Sequence, residues 1–194
     1  MSTIYLTGVP GTGKTTITNE ICKSNNDFLV LHYSEMLKNY LSEKHQTEYS
    51  ISQLRKSSST VVSEKDILEL DESVLEIINE SSSKHVILES HAITMEAFGY
   101  RATPFSMEQV LLLKPDIIIV LYADPEIIQK RIKQSPQGRK ISTANDIDYS
   151  QQLQSALALQ YGLLVGAKML FINAAEDIDT IVKTIIQQVD KTGS

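Results

Sequence analysis

The sequence lacks the features of a secreted or membrane-embedded protein. It has a single cysteine, Cys22, so no disulfide can form within the chain, which agrees with a reducing compartment. Its start carries no basic segment followed by a long apolar run, and no other stretch is long enough to cross a bilayer. We therefore expect a cytoplasmic protein with no membrane partner.

Basic residues are fewer than acidic residues in this sequence. Lys and Arg number 18 against 24 Asp and Glu, which gives a net charge of −6. This balance repels polyanions at long range, so we expect no nucleic-acid partner, although a local basic pocket for a small phosphate ligand is compatible with it. The 194 residues are 42% hydrophobic and 22% charged, and we predict a single domain over residues 1–194. Nothing in the sequence fixes the number of subunits.

Five apolar runs of strand length recur along the chain, and segments with helical periodicity separate them. The runs are 3–7, 28–32, 86–88, 117–121 and 169–172. Continuous apolar runs are typical of parallel strands covered on both faces, and parallel strands need crossover connections. We predict an α/β fold with a five-stranded parallel sheet and helices on both faces. Residues 34–84 and 133–146 interrupt the alternation and are predicted to be insertions at one end of the sheet.

Residues 8–15 match the phosphate-binding pattern G-x-x-x-x-G-K-[S/T], between a predicted strand and a predicted helix. We expect Lys14 to face solvent until phosphates arrive and then to reach the β and γ phosphates of a nucleoside triphosphate. The Thr15 hydroxyl is the expected Mg²⁺ ligand. The predicted nucleotide-contacting residues of this loop are Gly8, Pro10, Gly11, Thr12, Gly13, Lys14, Thr15 and Thr16. The loop alone names no acceptor, because switches, motors and kinases share it.

A carboxylate, Glu89, ends the third apolar run. At that position it could hold a Mg²⁺-bound water opposite Thr15. The alternative is a carboxylate that caps the following turn. Two residues further on is His91. It is equally interpreted as a packed or hydrogen-bonded histidine and as a residue that contacts a ligand.

The chain resembles the P-loop nucleoside monophosphate (NMP) kinases, and among them the short archaeal-type adenylate kinases, over nearly its whole length. Besides the phosphate-binding loop, the resemblance rests on residues 53–56, 90–91, 99–100, 114–121, 123–131 and 161–167. It implies ATP and Mg²⁺ as cofactors and a nucleotide kinase fold. Transfer between phosphates needs little acid–base catalysis, because the attacking oxygen is already anionic. What it needs is positive charge and alignment of the reacting phosphates in a site that excludes water.

The resemblance also assigns roles to residues outside the loop. It implies that residues 34–84 are the NMP-binding region, in which Arg55 grips the acceptor phosphate. It implies that residues 133–146 are a short lid that contains Arg139. On the donor side it places Arg131 near the adenine of ATP. The predicted adenine-contacting loop contains Asn173 and Ala174.

Three positions depart from the family pattern, because Met95, Gly138 and Ser155 stand where members usually carry basic residues. Two further functions therefore stay open. A kinase of a small hydroxylated metabolite needs a general base, for which Glu35 is the candidate, although a first-turn helix carboxylate behind a Ser34 cap is the simpler interpretation. The second open function is a slow ATPase that acts as a nucleotide-dependent binding or assembly factor. Such a protein needs fewer arginines than a nucleotide kinase does.

Overall fold

The computed structural model describes residues 1–54, 61–96, 98–136 and 142–192. Its helices and strands follow one another as β1 (Ser2–Thr7), α1 (Lys14–Ser24), β2 (Phe28–His32), α2 (Tyr33–His45), α3 (Glu64–Glu80), β3 (His85–Glu89), β4 (Ile93–Glu96), β5 (Gly99–Ala102), α4 (Met107–Leu113), β6 (Ile117–Tyr122), α5 (Pro125–Gln134), α6 (Ala144–Val165), β7 (Lys168–Asn173) and α7 (Ile178–Asp190). Residues 51–54 are also helical.

Five strands form one parallel sheet in the order β2-β3-β1-β6-β7. The predicted five-stranded parallel sheet with helices on both faces is confirmed. β1 lies at the centre of this order. The chain forms one half of the sheet with β2 and β3 and the other half with β6 and β7, so the strand order reverses direction beside β1. In open parallel sheets, ligands bind at the carboxyl edge beside such a reversal. The residues that follow β1 and β3 at this edge are those of the phosphate-binding loop and Ser90.

Alternate residues of the strands fill two apolar cores, one on each face of the sheet. Ile4, Ile87 and Ile119 pack on one face under α1, α5 and α7. Their neighbours in sequence, among them Tyr5 and Leu88, pack on the other face under α3, α4 and α6. Each fully buried aliphatic side chain contributes about 1.5–3 kcal/mol. Burial on both faces explains why the central strands β1, β3 and β6 are continuous apolar runs rather than alternating ones.

Side-chain caps set the start of several helices that border the site. Ser63, Ser106 and Thr143 each accept a hydrogen bond from the backbone three residues on, in reciprocal capping boxes at α3, α4 and α6. Asp124 caps α5, which has a proline in its first turn. α2 differs, because it begins at Tyr33 directly after β2, with His32 as a cap that makes no side-chain capping bond. The expectation of a Ser34 cap is therefore wrong.

The antiparallel hairpin of β4 and β5, paired from Ile93↔Ala102 to Glu96↔Gly99, was not anticipated from the sequence. In the predicted insertion at 34–84, the described part contains α2, helical residues 51–54 and α3. The predicted lid at 133–146 begins inside α5 and ends inside α6, and its residues 137–141 lie outside the described part of the chain. Within the described ranges, no helix is both long and apolar enough to cross a membrane.

Candidate active site

Three glycines with positive φ shape the loop between β1 and α1. The φ angles of Gly8, Gly11 and Gly13 are 150°, 94° and 90°. A Cβ on Gly8 would lie 2.6 Å from the carbonyl oxygen of Leu121, so this position also requires the close approach of two backbones. Gly13 is the N-cap of α1, where free backbone N–H groups and the helix dipole favour an anion.

Lys14 lies along this loop rather than in solvent, so the expectation of a solvent-facing ammonium is wrong. The residue is 8% exposed. Its Nζ donates to the carbonyl oxygens of Gly8 at 2.6 Å and of Val9 at 3.3 Å. A buried ammonium needs acceptors, and the glycine-rich turn supplies carbonyls that point inward. The cation is thereby held at the mouth of the loop.

The Thr12 side chain is used within the loop, since its hydroxyl donates to the Val9 carbonyl at 2.8 Å. Pro10 is half-buried beside it, and Thr16 is exposed in the first turn of α1. The predicted nucleotide-contacting residues of the loop thus lie together at the carboxyl edge of β1. Of these residues, Thr15 and Thr16 are both exposed.

Glu89, at the end of β3, lies against the first turns of α1. Its Oε1 accepts a hydrogen bond from the Thr15 hydroxyl at 2.9 Å, and its Oε2 accepts from Thr18 at 3.2 Å and pairs with Nδ1 of His32 at 2.7 Å. Burial raises the pKa of the Glu89 carboxyl, but the bond to His32, the charge of Lys14 and the bond from Thr15 together hold the pKa below its usual value. Glu89 is therefore ionised at neutral pH.

This arrangement fits a Mg²⁺ ion held jointly with phosphates. The Thr15 hydroxyl gives its only proton to Glu89, so its lone pairs are available to a metal. In the described part of the chain, this site included, no group of three or more His, Cys, Asp or Glu could hold a metal ion by itself. Mg²⁺ commonly takes few protein ligands and completes its shell with water and substrate phosphates. Thr15 as ligand and Glu89 behind it meet that requirement.

Arg131 connects three parts of the chain. Its Nη1 donates to the carbonyl of Thr12 at 3.4 Å, and its Nη2 donates to the carbonyl of Ala174 at 2.9 Å. Ala174 is buried after β7, where its N–H donates to Tyr122. The Asn173 side chain accepts from the N–H of Ala175, so it shapes this turn. The structure thus brings Arg131, Asn173 and Ala174 together beside the loop.

The two other predicted arginines, Arg55 and Arg139, lie outside the described residues. The candidate base Glu35 is exposed in the first turn of α2 and forms an ion pair with Lys38 at 3.0 Å. At one position where the family usually carries a basic residue, the Met95 sulfur accepts a hydrogen bond from the Ser142 hydroxyl. Ser155 is half-buried in α6.

A cleft adjoins Glu89 on the side of α2 and α3. Its lining includes Tyr5, Tyr33, Asp71, Ser90, His91 and Phe105. Asp71 is 2% exposed, and its two oxygens accept from the Tyr33 hydroxyl at 2.6 Å and from Nε2 of Gln109 at 2.9 Å. Burial raises its pKa to about 6, against the lowering effect of both hydrogen bonds. The structure thus places His91 in the lining of this cleft.

Sequence reasoning missed Thr18, His32 and Asp71. Thr18 follows Thr15 by three residues and so shares its helix face. His32 ends an apolar run at the edge where Glu89 also ends one. Asp71 stands beside Leu70 and three residues before Val74, within the apolar face of α3. A carboxylate within an apolar stripe was the available signal for Asp71.

The sequence is similar to a known protein family and to archaeal kinases. A family described as AAA domain matches residues 7–148. The adenylate kinase of Methanopyrus kandleri is 27% identical over 96% of this chain and 96% of that protein. The adenylate kinase of Methanothermobacter thermautotrophicus is 25% identical over 96% of this chain and 100% of that protein. The predicted resemblance to archaeal adenylate kinases is confirmed.

Two solved structures share the fold. A shikimate kinase from Bacteroides thetaiotaomicron superimposes with a TM-score of 0.60 at 19% identity and covers 97% of this chain and 98% of its own. A deoxyadenosine kinase from M. mycoides superimposes with a TM-score of 0.57 at 15% identity, over 97% of this chain and 98% of its own. At these identities the likeness establishes the P-loop kinase fold and leaves the acceptor open.

Proposed function

The chain belongs to the AAA domain family, and within it we propose that the protein is a nucleoside monophosphate kinase that transfers the γ-phosphoryl group of ATP to AMP or another NMP. Its relatives and structural neighbours are kinases, and the protein is an ATP-dependent phosphotransferase of the P-loop kinase class. The choice of an NMP as acceptor is our inference, and Mg²⁺ is the proposed metal.

The donor half of this proposal rests on the loop and on Arg131. Lys14 exchanges the carbonyls of Gly8 and Val9 for the β and γ phosphate oxygens of ATP. Thr15 and Glu89 hold Mg²⁺, which when bound neutralises charge on the β and γ phosphates. Arg131 anchors the turn at Ala174 against the loop, on the side where we place the adenine.

One observation supports an anionic acceptor: the described carboxylates around the loop and the cleft are all committed to partners. Glu89 is ionised and accepts hydrogen bonds from Thr15, Thr18 and His32, and a carboxylate with a lowered pKa is a weak base. Glu35 is exposed and paired with Lys38. Asp71 is held between Tyr33 and Gln109. A phosphate acceptor needs no base, whereas a hydroxyl acceptor does.

Two alternatives have specific support. The raised pKa of Asp71 would suit a base in a kinase that acts on a small hydroxylated metabolite. The replacement of a family basic residue by Met95, together with the pairing of Arg101 with Glu96 at 3.2 Å, would suit a slow ATPase that acts through a partner. These alternatives predict different acceptors, so an acceptor assay separates them.

The test measures ADP formation from ATP and Mg²⁺ with AMP, CMP, GMP or UMP, with small hydroxylated metabolites, and with no acceptor. We expect NMP-dependent turnover that the Lys14→Met variant lacks. Turnover stimulated only by an alcohol would establish the metabolite kinase. Acceptor-independent turnover at the same slow rate in every reaction would establish the ATPase.

The acceptor site is tested at Arg55, with Lys56→Ala as the neighbouring control. Arg55→Ala removes a charge-assisted contact to the acceptor phosphate, which is worth about 1.5–3 kcal/mol and so roughly a ten- to hundredfold rise in the KM of the acceptor. The Kd of ATP should be unchanged, and Lys56→Ala should change neither constant. An unchanged KM for every NMP would remove Arg55 from the site.

A further inference from the structure

The two oxygens of the Glu89 carboxylate are held unequally. Oε1 has the Thr15 hydroxyl at 2.9 Å as its partner, and this is the hydroxyl proposed to bind Mg²⁺. Oε2 has Thr18 at 3.2 Å and Nδ1 of His32 at 2.7 Å. What fixes Oε2 therefore decides whether Oε1 stays in place to receive the Thr15 proton.

Thr18 cannot fix Oε2 alone. Its single hydroxyl proton has three acceptors at 3.2 Å, namely Glu89 and the backbone carbonyls of Lys14 and Thr15. Hydroxyl groups in helices commonly donate to the carbonyl one turn earlier. A proton shared among three acceptors restrains none of them strongly.

His32 is placed by the fold to supply the stronger restraint. It is the last residue of β2 and lies directly opposite Glu89 in the β2–β3 register. It is also the N-cap residue of α2, yet its side chain makes no capping bond there and turns instead to Glu89. An ionised carboxylate only accepts hydrogen bonds, so Nδ1 carries the proton in either charge state of the ring.

We propose that His32 is a positioning residue for Mg²⁺, because its bond to Oε2 holds Glu89 in the orientation that keeps the Thr15 lone pairs directed at the metal. This inference rests on the proposed binding of Mg²⁺ with ATP. In this proposal His32 acts through Glu89 and is not itself a ligand of the metal or the nucleotide. A partner that orients a metal-bound group commonly affects metal affinity by about 10- to 100-fold when it is removed.

The test compares His32→Leu with His32→Asn. Leucine removes the donor, whereas the amide nitrogen of asparagine reaches the position of Nδ1 and keeps the bond to Glu89. The Kd of ATP is measured by titration calorimetry with Mg²⁺ and again in EDTA, and melting temperatures report folding. We expect His32→Leu to weaken binding about tenfold with Mg²⁺ and to leave binding in EDTA unchanged. His32→Asn should stay within about threefold of the wild type in both conditions.

A purely structural role gives a different pattern. Equal losses with and without Mg²⁺ in a variant that remains folded would overturn the proposal, and so would a failure of His32→Asn to restore Mg²⁺-dependent binding. If His32→Leu does not fold, His32→Ala, which also lacks the donor, is measured in its place against His32→Asn, with the same result expected and the same result overturning the proposal. A wild-type protein that binds ATP with Mg²⁺ but phosphorylates no NMP would refute the proposed function and leave the role of His32 standing.

Discussion

Replacement of Asp71 by asparagine should make the stability of the protein less sensitive to pH. Asp71 is 2% exposed, and its carboxyl group lies between Tyr33 and Gln109. Asparagine has the same shape, and its amide can donate to the Tyr33 oxygen while its carbonyl accepts from Gln109. The substitution therefore removes an ionisable group and keeps its hydrogen bonds.

The sign and size of the effect follow from the pKa of Asp71, which burial raises from 3.8 to about 6. Between these two values the folded protein binds more protons than the unfolded chain, so the free energy of unfolding falls as the pH rises. Below about pH 4 both states are protonated and the group costs nothing. Above about pH 6 the full cost applies, which is at most about 3 kcal/mol for a shift of roughly two pKa units.

The assay is urea unfolding of the wild type, Asp71→Asn and Glu72→Gln from pH 4 to pH 8. Glu72 is the next residue of α3 and is exposed, so its variant controls for the loss of a negative charge on this helix. We expect the stability of Asp71→Asn relative to the wild type to increase by about 2–3 kcal/mol from pH 4 to pH 7. A difference that stays constant across this range would refute the raised pKa.

Further predictions concern the phosphate-binding loop. Lys14→Met should abolish phosphoryl transfer and leave the fold intact, because its apolar stem remains packed. Lys14→Ala should lower the melting temperature as well, since it also removes that stem, and turnover together with thermal unfolding measures both effects. Gly8→Ala should destabilise the protein more than Gly13→Ala, because the new Cβ would meet the Leu121 carbonyl at 2.6 Å, whereas nothing lies within 4 Å of a Cβ on Gly13. Equal melting temperatures for these two glycine variants would contradict the close backbone approach.

The three central strands, β1, β3 and β6, could be predicted from the sequence because they are buried on both faces and so appear as uninterrupted apolar runs. The run at 117–121 is a clear case, since all five residues are buried in β6. The β4–β5 hairpin could not be predicted in this way. Its strands are four residues each, ITME and GYRA, and show neither a continuous run nor a sustained alternation.

The site shows the same division between local and long-range information. The phosphate-binding loop lies within eight residues, so spacing alone identifies it. The bond between His32 and Glu89 requires β2 and β3 to be neighbours in register, which apolar patterning does not specify. The direction of the Lys14 side chain likewise depends on loop carbonyls whose orientation follows from the φ angles of the glycines.

The phosphate-binding loop and the cleft lie on opposite faces of the sheet. The loop, α1 and Arg131 belong to the face covered by α1, α5 and α7, whereas the cleft with Asp71 belongs to the face covered by α3, α4 and α6. Glu89 bonds to α1 through Thr15 and to the start of α2 through His32. Under the proposed function, Arg55→Ala should raise the acceptor KM and leave ATP affinity intact, because ATP binds at the loop, so the two constants have to be measured on the same variant.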